Sequence, residues 1–235
     1  MLMDQWFRCL GRMKDLTLSI KPELESWGYI YKECLEPGVP IARIAYDLGK
    51  ALRVTEILDV QRLTPKPQVD AARNVYSGHF GLQEFPLHTD LAHWYIPPRF
   101  LILRCVVPAA HVFTGLLDGF SLLNNIPRDI VLRAQFLPRR RLSGQTHLLR
   151  FLQKQDNEFL IRWDGLFIVP ANREAKEVSH SLSRYAGGDQ VTKVCLRNPG
   201  DTLVIDNWRM LHGRSAVPQN CSARVIERVY LQDLK

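Results

Sequence analysis

Apolar and polar positions follow two different periods along this chain. Apolar side chains recur at intervals of three and four residues over Ile41–Val54, which predicts a helix there, and a second short helix is predicted over Arg173–Tyr185. Residues 1–20 have a weaker spacing of the same kind, which favours a helix or an arm. Short runs of β-branched and aromatic residues, separated by Gly and Pro, predict strands near residues 27–31 and over Val75–His79, Phe85–Asp90, Phe100–Val107, Leu148–Gln153, Phe159–Val169, Val191–Leu196, Thr202–Asp206 and Val225–Leu231.

The order of these elements indicates one domain. Many short strands follow a helical N-terminal section, and this order is typical of a β-sandwich or jelly roll. The sequence has no internal repeat and no linker long enough to separate two domains. Its 235 residues are within the range of a single all-β unit, so we predict one domain over residues 1–235.

Composition narrows the class of protein only modestly. The net charge is +7, but basic residues are scattered apart from Arg139–Arg141, which does not favour nucleic acid as a partner. The five cysteines are far apart and form no C-x-x-C pair, so free thiols in a reducing cytoplasm fit best. No apolar run reaches the roughly 18 residues that a membrane span needs. We therefore expect a cytoplasmic protein, and the pattern does not indicate its oligomeric state.

The tripeptide His88-Thr89-Asp90 is the main candidate for chemistry. On a strand, residues i and i+2 project from the same face, so His88 and Asp90 are able to converge on one metal ion. His212, which follows the strand Thr202–Asp206, is the candidate third ligand. Two histidines and one carboxylate leave metal positions open, as Fe(II) chemistry with O2 requires. Five further histidines compete for the third place: His79, His93, His111, His147 and His180.

Two longer motifs carry a resemblance to a known family. Phe85–Asp90, followed by Pro97-Pro98 and a strand ending at Cys105, resembles the metal-binding strand of the TauD/TfdA dioxygenases. Pro199–Arg214 is similar to the distal-histidine motif of that family, and its amino-acid sequence most resembles that of the γ-butyrobetaine hydroxylase branch. The matches cover roughly residues 74–120 and 160–232. They imply a mainly β fold with flanking helices, a double-stranded β-helix (jelly roll, cupin-like), and an oxygenase that uses Fe(II), 2-oxoglutarate and O2.

The resemblance also implies a pocket for the co-substrate. Arg224, twelve residues after His212, would bind the distal carboxylate of 2-oxoglutarate, because a guanidinium is a bidentate partner for a carboxylate. Thr114 occupies the position of the hydroxyl partner in the family. Relatives usually have two glycines just before that position, whereas this chain has Val112 and Phe113.

Candidate substrate residues follow from the same resemblance. Arg228 is four residues beyond Arg224, where relatives bind an anionic group of the substrate, so an acidic or phosphate-like substrate is expected. Asn74, Tyr76 and His79 precede the metal strand and are predicted to line the substrate pocket.

A network around the distal histidine is also expected. Asp206 and Arg209 are predicted to orient His212, because metal-bound histidines normally have such partners. The segment between Asp118 and Val191 has few family features, and its brevity suggests a reduced lid over the substrate.

The expected reaction is oxidation, most simply hydroxylation, of a small substrate with release of succinate and CO2. Two alternatives stay open. One is a metal-binding β-barrel of different chemistry, such as a hydrolase or an isomerase with the same three ligands. The other is a catalytically silent relative that acts as a binding module.

Overall fold

The computed structural model describes residues 20–53, 57–72, 74–140, 147–185 and 190–235. Helices are α1 (20–27), α2 (Ile41–Leu48), α3 (Tyr76–Phe80), α4 (Gly119–Leu123), α5 (Arg128–Arg133) and α6 (Arg173–Tyr185). Single 3-10 turns lie at Gln68–Asp70 and Gln219–Cys221. Strands are β1 (Tyr29–Lys32), β2 (Gly49–Ala51), β3 (Gln61–Leu63), β4 (Phe85–His88), β5 (Phe100–Val107), β6 (Phe113–Asp118), β7 (Gln135–Pro138), β8 (Leu149–Arg150), β9 (Leu152–Gln155), β10 (Glu158–Ile161), β11 (Ile168–Pro170), β12 (Thr192–Cys195), β13 (Thr202–Asp206), β14 (Met210–Arg214) and β15 (Val225–Leu234).

Two antiparallel sheets form the centre of the molecule. The larger has six strands in the order β1-β13-β5-β15-β2, with β3 also paired to β15, and the smaller has the order β12-β6-β14-β4. Leu101, Leu203 and Ile205 of the larger sheet pack in one buried cluster with Leu116 and Met210 of the smaller sheet. Because two apolar sheet faces are buried against each other, the arrangement is a double-stranded β-helix. The predicted fold class is confirmed.

The larger sheet is covered on its outer face as well. Phe100 and Ile102 point away from the space between the sheets and pack with residues of α1 and α2. Strand β5 is therefore buried on both faces, which explains why its sequence reads as a continuous apolar run rather than as an alternation. The regular spacing of Ile41, Ile44 and Leu48 is the buried stripe of α2.

The segment between Asp118 and Val191 forms a third layer outside the smaller sheet. It contains α4 to α6, a three-stranded sheet in the order β11-β7-β8, and a β9-β10 hairpin. Leu117 and Leu211 of the smaller sheet share one buried cluster with Phe136, Phe151 and Val178 of this layer. The segment thus packs on the smaller sheet through a shared buried core, and the expected reduced lid over the substrate stays a prediction.

Several predicted elements need correction. The predicted strand Val75–His79 is the helix α3, in which the rings of Tyr76 and Phe80 stack one turn apart with centroids separated by 5.8 Å. The helix predicted to reach Val54 ends at Leu48. Gly49 is extended there, and a Cβ on it would come within 2.0 Å of the carbonyl oxygen of Asp233.

Other differences concern strand boundaries. The run predicted as Phe159–Val169 is divided into β10 and β11, and the strands β6 and β14 were not predicted. The predicted helix or arm at residues 1–20 lies, except for Ile20, outside the described residues. In the ranges that are described, no helix combines the length and the apolar character needed to cross a membrane.

Candidate metal centre and co-substrate pocket

His88, Asp90 and His212 converge at one end of the smaller sheet. His88 ends β4 and lies directly opposite His212 of β14, while Asp90 follows two residues later. Oδ1 of Asp90 lies 3.3 Å from Nε2 of His88 and 3.5 Å from Nε2 of His212. Each of the three residues is 6% exposed. Among the described residues, no second group of three metal-binding side chains converges in this way, and the five competing histidines are not part of it.

The donor atoms suit a divalent metal. Nδ1 of His88 lies 2.8 Å from the carbonyl oxygen of Pro86, and a proton donated there leaves the Nε2 lone pair free for a metal. Burial lowers the pKa of His212, so its imidazole favours the neutral, ligating form. Burial raises the pKa of Asp90, but the charge of Arg228 and the close approach of both imidazoles outweigh it and bring the pKa well below its usual value. Two imidazoles and one carboxylate therefore match the donor set of a mononuclear Fe(II) site.

Asp90 is oriented by groups on both its side chain and its backbone. Its Oδ2 accepts hydrogen bonds from Nη1 of Arg228 at 2.7 Å and from the hydroxyl of Tyr230 at 2.9 Å. Its backbone amide donates to Oδ1 of Asn207, and its carbonyl accepts from Nδ2 of Asn207. Only Oδ1 is therefore turned toward the two imidazoles.

The network predicted around His212 is not found. Arg209 binds Asp118 and two backbone carbonyls, and Asp206 accepts from the amide of Trp208 and faces Arg99. Nδ1 of His212 is buried and has no hydrogen-bond partner in the described part of the chain. Orienting contacts are made instead to Asp90, by Arg228 and Tyr230, two alternate residues of β15 that face the same side of the sheet.

Arg224 is the most unusual basic residue near this centre. It lies just before β15 and is 9% exposed, and none of the described residues gives its guanidinium a hydrogen bond or an ion pair. Burial lowers its pKa, as expected for a cation without a compensating anion.

The neighbouring Arg214 is satisfied by the protein itself. It donates to the carbonyls of Gly81, Gln83 and Ser215, and its guanidinium lies 3.6 Å from the ring centroid of Phe85. Burial and then the charge of Arg224 lower the pKa of Arg214 to about 10. Thr114, which is buried, is the direct cross-strand partner of Arg214, so both predicted co-substrate residues have Arg214 as a neighbour.

The four predicted substrate residues differ in their contacts with the metal centre. The ring of Tyr76 stacks on that of His88, with centroids 4.1 Å apart, whereas Asn74 and His79 are exposed. Arg228 is held by Asp90 and by Oε1 of Gln61, which it contacts through Nε at 3.2 Å and Nη2 at 2.6 Å. The substrate roles of these four residues stay predictions.

Sequence reasoning missed two buried charged residues in the third layer. The guanidinium of Arg162 donates to the carbonyls of Ala92, Trp94 and Tyr95 and thereby fixes the loop that follows Asp90. Asp164 is 1% exposed and accepts a hydrogen bond from the hydroxyl of Tyr76 at 2.9 Å. The signal was present, because an Arg and an Asp two positions apart interrupt the otherwise apolar segment 159–169.

The fold and the converging triad define the class of double-stranded β-helix proteins with a candidate mononuclear metal centre. No protein-family model matches the chain. Its structure is similar to that of the non-haem iron oxygenase OrfP in complex with Fe, succinate and (3S)-hydroxy-L-Arg. That match has a TM-score of 0.67 and 18% identity, and covers 95% of this chain and 80% of OrfP.

Two further solved structures share the fold. An asparagine oxygenase in complex with Fe(II), 2S,3S-3-hydroxyasparagine and succinate matches with a TM-score of 0.64 and 16% identity over 94% of this chain and 77% of that one. PvcB from Pseudomonas aeruginosa matches with a TM-score of 0.65 and 17% identity over 90% of this chain and 78% of that one. At these identities the similarity establishes a common fold.

Proposed function

We propose that this protein is an Fe(II)- and 2-oxoglutarate-dependent oxygenase that oxidises, most simply hydroxylates, a small substrate. The observation that carries the proposal is the buried convergence of Nε2 of His88, Oδ1 of Asp90 and Nε2 of His212. Such a set leaves positions of the metal open for a chelating co-substrate and O2. The distal-histidine motif favours a relation to the γ-butyrobetaine hydroxylase branch of the TauD/TfdA family.

Arg224 supports the choice of co-substrate. A nearly buried guanidinium without a protein partner is unfavourable unless an anion binds it, and the distal carboxylate of 2-oxoglutarate is an anion of suitable geometry. Thr114 is the proposed hydroxyl partner. An Fe(II) ion and 2-oxoglutarate bound here would supply the oxidising power for a C–H bond, with release of succinate and CO2.

The protein's own residues position and shield the reacting groups. Arg228 and Tyr230 hold Oδ2 of Asp90, so that Oδ1 alone is directed to the metal. The ring of Tyr76 covers one face of His88 and limits the access of water to that ligand.

The solved structures of similar fold narrow the expected substrate. OrfP and the asparagine oxygenase were solved with hydroxylated amino acids and succinate, and we propose a small molecule of comparable size for the present enzyme. The free cysteines of the described chain suit a cytoplasmic enzyme.

Anaerobic titration with Fe(II) and then 2-oxoglutarate tests the proposal. We expect a visible charge-transfer band of the iron chelate, lost in His88→Ala and requiring far more 2-oxoglutarate in Arg224→Ala. His111→Ala, which changes an exposed histidine outside the triad, is the matched control and should leave the band unchanged. A folded, metal-loaded wild type without the band would contradict the proposal and favour a metal-binding β-barrel of different chemistry.

A further inference from the structure

Asp164 lies beside the metal centre although it belongs to the third layer. The amide and carbonyl of the preceding residue, Trp163, are hydrogen-bonded to Thr89, which separates the ligands His88 and Asp90. The hydroxyl of Tyr76 donates to Oδ1 of Asp164, and the ring of the same tyrosine stacks on His88. The carboxylate is thus one tyrosine side chain away from a metal ligand.

The two oxygens of this carboxylate have very different surroundings. Oδ1 accepts from the Tyr76 hydroxyl and from the backbone amides of Leu166 at 2.7 Å and Phe167 at 2.9 Å. Oδ2 has no hydrogen-bond partner among the described residues, and Asp164 forms no ion pair with any of them. A buried carboxylate with one satisfied and one free oxygen is unfavourable unless a donor or a cation meets it.

Neighbouring basic groups do not neutralise Asp164. The guanidinium of Arg162 is directed to backbone carbonyls and to Gln153, and that of Arg228 to Asp90 and Gln61. Burial lowers the pKa of His93, so that this imidazole is neutral at pH 7. None of these three basic groups therefore forms a hydrogen bond or an ion pair with Asp164.

Two aromatic residues, Tyr76 and Phe167, contact the same carboxylate through a hydroxyl and a backbone amide. Tyr76 and Phe167 are in edge contact with centroids 5.4 Å apart, and His93 lies 5.9 Å from Phe167. Aromatic faces attract cations and repel anions through the ring quadrupole. A carboxylate beside aromatic rings is a suitable receptor for an ammonium or guanidinium group.

From these contacts we propose that Asp164 binds a cationic group of the substrate, an ammonium or a guanidinium, through its free Oδ2. This inference rests on the proposed function and specifies its substrate class. It differs from the sequence-based expectation of an anionic substrate, which depended on Arg228, because that arginine is already paired with Asp90.

Matched pairs of small molecules test the inference without knowledge of the natural substrate. Butylguanidinium and butylurea differ in charge but little in shape, and so do pentylammonium and pentan-1-ol, and none of the four carries a second cationic group. Each is added anaerobically to the Fe(II)–2-oxoglutarate protein, and binding is read from the shift of the charge-transfer band. We expect the cationic member of a pair to bind at least about 30-fold more tightly than the neutral one.

The variant Asp164→Asn keeps one carbonyl oxygen for Tyr76, Leu166 and Phe167 but replaces the free oxygen by an amide group. We expect it to form the same chelate band and to lose the preference for cations. Asp156→Asn, which removes an exposed charge of the same layer, is the control and should keep the preference.

Each outcome is decisive. If the band forms but cations bind no better than their neutral partners, or nothing in the panel binds, the inference is wrong while the proposed function stands. The same holds if Asp164→Asn keeps the preference. The wild-type comparison alone decides the matter if the variant does not fold. Absence of the band in the wild type would instead contradict the proposed function.

Discussion

Two buried arginines, Arg162 in the third layer and Arg224 at the start of β15, have opposite surroundings. The guanidinium of Arg162 is fully buried and donates to four backbone carbonyls and to Oε1 of Gln153. Arg224 is nearly as buried, but the described residues offer its guanidinium no acceptor. Burial lowers the pKa of both, that of Arg162 to about 10.

The difference separates a structural role from a binding role. One guanidinium that donates hydrogen bonds to several segments holds those segments together. Arg162 in this way joins β8 and β9 to the loop after Asp90. A buried cation that the fold does not satisfy must be stabilised by something that binds. Similar burial thus has different consequences at the two sites, and the hydrogen-bond partners distinguish them.

Replacing Arg162 should have the largest effect on stability. In Arg162→Met several carbonyls lose their donor in a buried place, and we expect the free energy of unfolding to fall by roughly 3–5 kcal/mol. Urea denaturation measures it. Arg150→Met, at an exposed position of β8, is the control and should change the value by less than about 0.5 kcal/mol. A loss below about 1 kcal/mol in Arg162→Met would mean that the loop is held by other contacts.

Replacing Arg224 should change the stability little and the affinity for 2-oxoglutarate strongly. Arg224→Met removes an unpaired buried charge, so the free energy of unfolding should stay equal or rise by about 1 kcal/mol. The affinity for 2-oxoglutarate should fall by about 100-fold, because the distal carboxylate loses its cation. Titration of the charge-transfer band measures the affinity, with the exposed Arg197→Met as control. A variant that is strongly destabilised would show that Arg224 is a structural residue like Arg162.

The sequence predicted the bounds of some helices and strands accurately and missed other strands. The strand predictions Phe100–Val107 and Thr202–Asp206 and the helix Arg173–Tyr185 agree with the structure to the residue, because apolar pattern and burial coincide there. The strands β6 and β14 were missed although Thr114 and His212 lie on them. Their sequences carry glycine and polar residues instead of a regular alternation of apolar and polar positions.

The residues of the triad were accessible from sequence because their spacing is local or belongs to a long motif. The partners of Asp90 could not be predicted from the sequence. Arg228 and Tyr230 are about 140 positions away from Asp90 and contact it only because the strands pair as they do in the folded protein. Asp164 was equally hidden. Its significance depends on which of its two oxygens has a partner, and only the three-dimensional contacts give that information.

Asp206 is a buried carboxylate whose negative charge is only partly compensated, and it tests whether the contrast between satisfied and unsatisfied buried charges also holds for an acid. Burial raises its pKa to about 6, although Arg99 at 3.6 Å and the amide of Trp208 act in the opposite direction. The unfolded chain releases this proton near pH 4, whereas the folded chain keeps it until about pH 6. Stability is therefore expected to fall as pH rises from about 4 to about 6, by up to about 2–3 kcal/mol, and to be level above.

The variant Asp206→Asn should lack this fall. Urea midpoints at pH 4, 5, 6 and 7 measure the difference between variant and wild type, which should grow over that window and then stay constant. Asp129→Asn, at an exposed position of α5, should follow the wild type at every pH. Parallel curves for Asp206→Asn and wild type would show that Arg99 compensates the carboxylate completely.

The smallest effect concerns the contact between Tyr230 and Asp90. In Tyr230→Phe, Oδ2 keeps its bond to Arg228 and loses only the hydroxyl donor, so the carboxylate stays in place but turns more freely. Partners of metal ligands typically contribute 10- to 100-fold in affinity, and with one of two donors left we expect a loss of about 10-fold for Fe(II). Equilibrium dialysis measures it, with the exposed Tyr46→Phe as control. An unchanged affinity would mean that Arg228 alone is sufficient to orient Asp90.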